Sequence, residues 1–78
     1  MLHTKLLEAA YAARECGNTV KVMSDDSIMI QMPLHNMLVT TEDDDWKVSV
    51  HYLGEHKREY WVRLSKLSDI ELLMNEEW

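Results

Sequence analysis

Two acidic runs are the residues best placed to do chemistry in this 78-residue chain. Asp25-Asp26 lies between Ser24 and Ser27, and Glu42-Asp43-Asp44-Asp45 lies between Thr41 and Trp46. Clustered carboxylates have three ordinary uses. They occupy solvated turns, where Asp bonds back to its own backbone; they ligate hard cations; or they meet lysines and arginines on another molecule. A calcium loop of the helix-loop-helix kind needs D-x-[DN]-x-[DN]-G and a glutamate at its twelfth position. The run Glu42 to Asp45 has neither the glycine nor the spacing, which leaves only a loose site shared by the two runs as a metal reading.

The other reactive residues do not form a catalytic set. His3, His35, His51 and His56 fall on a helix start, a turn, an outer strand face and another turn, without the spacing of metal ligands. Cys16 lies on an apolar helical stripe, where a buried thiol is the expectation. A nucleophile there would also need a base and oxyanion donors. The only glycines, Gly17 and Gly54, exclude a glycine-rich phosphate loop. The reading is of a protein that is not an enzyme, with no cofactor and no metal.

Composition narrows the partner. Fourteen acids against eight lysines and arginines give a net charge of −6. That disfavours direct nucleic-acid binding, which rests on cationic contacts and counterion release, and suits a partner with a basic surface. The lone cysteine excludes an internal disulfide and fits a reducing compartment. The start, MLHTKLLEAAYAARE, reads as neither a signal peptide nor a membrane span, so the expected location is cytoplasmic, with no membrane contact. Residues 1–78 make one domain. A core this small supplies only ~3–5 kcal/mol, and six methionines with no phenylalanine make it compliant.

The elements follow from periodicity. Leu2, Leu6, Ala9, Ala10, Ala13 and Cys16 recur at helical spacing, with Thr4 as a candidate N-cap and Gly17-Asn18 as the stop. From Thr19 to Leu64 the period is two. Val20 and Val22 flank Lys21, and the Ser24–Ser27 turn follows. Ile28, Ile30 and Met32 share a face before Pro33, and Met37 to Thr41 make a third strand. After the acidic turn, Trp46, Val48, Val50 and Tyr52 point inward from the clearest strand. Gly54 to Glu59 turns the chain, and Tyr60, Val62 and Leu64 point inward from the last strand. Ser68 and Glu71 read as a capping box, with Leu67 and Leu72 as its staple. The expected fold is α+β, an antiparallel meander of four to five strands with an N-terminal and a C-terminal helix packed on one face. The first strand is the least defined.

That layout gathers charge. Alternate turns of a meander share one end of the sheet, about 10 Å apart. Asp25, Asp26, Glu42, Asp43, Asp44 and Asp45 therefore fall at one pole, joined by Asp69 and Glu71 at the start of the last helix. The opposite pole collects His35, Glu55, His56, Lys57, Arg58 and Glu59. The uncovered sheet face should hold Lys21, Met29, Gln31, Leu38, Lys47, His51, Trp61 and Arg63. Met29, Leu38 and Trp61 make it more apolar than solvent requires, which marks an interface with a partner or with a second copy of the chain.

In size, acidity and helix-plus-meander layout the chain resembles the small inhibitors that bacteriophages and mobile elements direct against host machinery, of the anti-CRISPR and DNA-mimic kind. The resemblance implies a non-enzymatic, stoichiometric binder that occupies the basic site of a nucleic-acid-handling protein. The expected contact residues are Asp25, Asp26, Glu42, Asp43, Asp44 and Asp45, with Met29 and Trp61 as apolar anchors. The alternative is a small module for single-stranded nucleic acid, in which Trp61 stacks a base and Arg63 holds the backbone.

Overall fold

The computed structural model describes residues 2–52 and 59–75, with the backbone alone for Tyr52, Glu59 and Tyr60. The order of elements is α1 (Thr4–Glu15), β1 (Thr19–Ser24), β2 (Ser27–Gln31), β3 (His35–Glu42), β4 (Asp45–Tyr52), β5 (Glu59–Leu64) and α2 (Leu67–Asn75). The five strands form one antiparallel sheet in the order β1-β2-β3-β4-β5, so the α+β meander with a helix at each end is the observed architecture. The first strand is part of the sheet, as an edge.

Helix α1 is set by its small residues. Leu6, Ala9, Ala12 and Ala13 are buried, and three alanines in four positions let the helix axis approach the sheet closely. Its N-cap is His3 rather than Thr4: the His3 Nδ1 accepts a hydrogen bond from the Lys5 backbone N–H at 3.1 Å. A histidine ring can take the capping role usually filled by a short oxygen-bearing side chain. At the other end Gly17 has φ +82°, Asn18 N–H bonds to the Ala13 carbonyl, and Gly17 N–H bonds to the Arg14 carbonyl. That pair of bonds is a Schellman motif, which requires the left-handed backbone glycine provides. The stripe ends one turn earlier than its periodicity implies. Cys16 is the C-cap, and it is exposed instead of buried.

The sheet buries Ile28, Ile30, Met37, Val39, Val48 and Val50 completely, against α1 and α2. Each such side chain contributes about 1.5–3 kcal/mol by leaving water. β3 begins at His35, two residues earlier than the apolar run suggests. His35 therefore lies on the core-facing side in register with Tyr52 and is only 3% exposed, not in a turn at an open pole. Residues 53–58, which carry Glu55, His56, Lys57 and Arg58 of that expected pole and most of the Gly54–Glu59 turn, lie outside the described part, while Glu59 begins β5. Val22 alternates as expected but is 61% exposed, because α1 does not extend far enough to cover the edge strand.

α2 buries Ile70 and Met74. It starts at Leu67, two residues before the Asp69 start that a Ser68 cap implies, and the Lys66 carbonyl accepts the Asp69 N–H at 3.1 Å. Ser68 consequently lies in the first turn, and Leu72 is 64% exposed, so the expected staple does not close. Among the described residues no helix is long and apolar enough to cross a membrane.

Candidate partner-binding face

Both helices lie on one side of the sheet, which leaves the other side open. The register places Lys21, Met29, Leu38, Ser49 and Trp61 in one row across all five strands on that side. Met29 and Leu38 are half-buried and Trp61 is 50% exposed. Between Leu38 and Trp61, Ser49 is fully buried although no helix covers it. Its Oγ is 3.0 Å from the His51 Nε2. Larger side chains on either side shelter it, so the row is a continuous surface.

The next row holds Thr40, Lys47 and Arg63, with Lys47 directly opposite Arg63. Like charges opposite each other on one sheet face destabilise the pair. The acidic turn supplies the compensation. Arg63 Nε donates to Asp45 Oδ2 at 2.7 Å, Arg63 Nη2 lies 3.5 Å from Asp43 Oδ2, and Lys47 Nζ lies 3.9 Å from Glu42 Oε2. The short Arg63–Asp45 contact is a charge-assisted hydrogen bond. It holds the Arg63 guanidinium pKa above its ordinary value, aided by the attraction of the same carboxylate; desolvation opposes this, and Glu42 and Asp43 add smaller attractions. Three of the four turn acids thus have a partner inside the protein.

The turn is built to reach these cations. Glu42 pairs with Asp45, which leaves Asp43-Asp44 as a two-residue connection. Within it only Asp43 has positive φ, at +54°, a backbone that glycine adopts most readily. Asp tolerates the left-handed region better than most residues, and here the conformation goes with the Asp43 contact to Arg63. Asp44 follows at the tip, and among the described residues no ion pair engages it.

The Asp25-Asp26 turn lies at the same end of the sheet, two strand spacings or roughly 10 Å away. It is closed by serines: Asp26 N–H donates to Ser24 Oγ at 3.2 Å, and the Ser24 and Ser27 hydroxyls are 2.8 Å apart. β5 ends there too, with Leu64 opposite Trp46, so Asp69 in the first turn of α2 joins the same pole. The acids that sequence placed together are together. What sequence reasoning missed is that Lys47 and Arg63 lie among them. The sequence places both outward on neighbouring strands, and the register of β4 with β5 brings them to the turn.

The two surfaces expected separately are therefore one. Lys47 Nζ is 5.2 Å from the centre of the Trp61 ring as well as near Glu42, so contacts run without a break from the apolar row to the acidic tip. Among the described residues no group of three His, Cys, Asp or Glu side chains is arranged to hold a metal ion. No family model matches the chain, and no curated protein and no solved structure matches it either.

Proposed function

We propose that the chain is a non-enzymatic protein-binding module that occupies the basic groove of a nucleic-acid-handling protein, acting as a stoichiometric inhibitor of phage or mobile-element type. The observation that carries this reading is the contiguity of the open apolar row with the acidic end. Trp61 and Met29 supply apolar anchors beside carboxylates spaced along one edge, and interfaces combine an apolar centre with a charged rim in this way. Asp25, Asp26 and Asp44 meet the partner's cations directly. Glu42, Asp43 and Asp45 hold Arg63 and Lys47, so they shape the surface as much as they charge it. The opposite assignment, a nucleic-acid-binding sheet face, is weakened by the same contacts, because Arg63 and Lys47 spend their charge on the turn.

The test compares two variants in a capture experiment from nuclease-treated lysate. Asp26→Asn with Asp44→Asn removes acids while keeping the Arg63 contacts, and Trp61→Ala removes the apolar anchor. The expected result is that the native chain retains a nucleic-acid-binding protein that both variants lose and that added duplex DNA displaces. Capture that survives both changes, or that DNA does not compete with, overturns the proposal. Binding of the native chain to a labelled single-stranded oligonucleotide, lost on Trp61→Ala, supports the alternative.

A further inference from the structure

A second surface carries charge of the opposite sign. β1 is an edge strand, and on its core-facing side α1 stands back from it. The gap is a groove of about 510 Å³ lined by Leu7, Ala10 and Tyr11 of α1 and by Val20 and Val22 of β1, with Arg14 at one end. Leu7, Tyr11 and Val22 are 39%, 65% and 61% exposed, more apolar surface than a small acidic protein needs to show. On the other side of the strand, Lys21 points out from the open sheet face. Among the described residues no acid pairs with Lys21 or Arg14. In a chain of net charge −6, this edge thus presents two cations with no acidic partner among the described residues.

We infer that the β1 edge and the α1–β1 groove form a strand-addition site for an extended segment of another protein in which apolar residues alternate with an acidic one. The strand edge presents backbone donors and acceptors from Thr19 to Val22. A peptide pairing there places alternate side chains on the same face as Val20 and Val22, in the groove, and the intervening side chain beside Lys21. Opposite charges directly across a strand pair stabilise it and like charges oppose it. The residue facing Lys21 is therefore acidic.

The same feature disfavours a second copy of the chain in the registers that pair most of the strand. Antiparallel self-pairing that keeps the faces aligned and is centred on β1 sets Lys21 against Lys21. Moving the centre toward Ser24 meets the irregularity between Val22 and Ser24, where Met23 interrupts the register. An edge lysine and a bulge are the devices that natural sheets use against edge-to-edge association. They leave Thr19 to Val22 open to a heterologous strand, at a distance from the Asp25-Asp26 turn that would repel an acidic one.

The probe is a capped pentapeptide, Thr-Val-Glu-Val-Thr, titrated into the full chain and followed by amide NMR and hydrogen exchange. A matched peptide with lysine at the centre is the first control, and one N-methylated along its pairing edge is the second. The expected result is slowed exchange at the alternate amides between Thr19 and Val22 that point away from β2, shifts at Leu7, Tyr11 and Val22, and about five-fold weaker binding of the lysine peptide, from exchanging an attraction for a repulsion. Lys21→Glu, an exposed change that leaves the fold intact, should invert that order. Shifts confined to the acidic turns, indifference to the peptide's charge, or binding by the N-methylated peptide would overturn the inference. So would concentration-dependent protection of β1 without peptide, which identifies a second copy as the occupant.

Discussion

The Trp46 indole Nε1–H donates to the Lys5 carbonyl at 2.8 Å, and the Lys5 Nζ lies 3.9 Å from the centre of the same ring. One tryptophan, at the base of the acidic hairpin, thereby fastens the first turn of α1 to β4. The contact joins residues 41 positions apart. It fixes how the helix is placed over the sheet, and so which flank of α1 faces the groove.

Trp46→Phe keeps most of the apolar volume but removes the donor. It should destabilise the protein by about 1–2 kcal/mol, the usual effect of losing one partly buried hydrogen bond. Trp46→Ala should lose about 3–5 kcal/mol, since it also opens a cavity. Urea unfolding followed by circular dichroism measures both; a Trp46→Phe variant as stable as the native chain would show that the hydrogen bond contributes nothing of its own.

Two left-handed positions make opposite predictions. A Cβ at Gly17 would meet nothing within 4 Å, so Gly17→Ala tests the backbone alone and should lower stability by about 1 kcal/mol. Asp43 already carries a side chain at φ +54°, and Asp43→Gly should be neutral or gain up to about 1 kcal/mol despite losing a weak ion pair. Thermal melts suffice, because ~1 kcal/mol moves the midpoint by roughly 4–8 °C in a domain of this size.

Neighbouring acids should behave differently on neutralisation. Asp45→Asn takes the charge out of the 2.7 Å contact and leaves Arg63 opposite Lys47 with less compensation, so it should destabilise, and more so at low salt. Asp44→Asn removes only repulsion and should leave stability unchanged or raise it. If both variants melt together at every salt concentration, the Arg63–Asp45 bond has no net effect on the fold.

Cys16 is exposed at the end of α1. An aromatic disulfide reagent should therefore titrate one thiol per native chain without denaturant, and Cys16→Ser should change stability by less than about 0.5 kcal/mol. A thiol that reacts only after unfolding would mean that the end of α1 packs more tightly than its exposure indicates.

Local chemistry settled a good deal before any tertiary contact formed. Period-two alternation from Val20 to Leu64 and helical spacing before it are properties of adjacent residues, and they fixed the element order and the inward set Ile28, Ile30, Val48 and Val50. The tight turns forced an antiparallel meander, and a meander puts Asp25-Asp26 and Asp43-Asp44 at one end whatever packs on it. The caps were less legible. His3 displaced Thr4, and Leu67 rather than Asp69 begins α2, because where a helix starts depends on how the preceding strand delivers the chain.

Tertiary structure alone decided the rest, through distances that no single segment contains. The burial of Cys16 and Val22 depended on how far α1 reaches across the sheet, and it stops short of both. His35 went inside because β3 begins earlier than its apolar run. The acidic turn follows the same principle. Its residues could be read as unbalanced charge only until pairing of β4 with β5 set Lys47 against Arg63 and brought both beneath Glu42, Asp43 and Asp45. Sequence determined that four acids stand in a row; strand register determined that three of them face cations and that Asp44 is left at the tip.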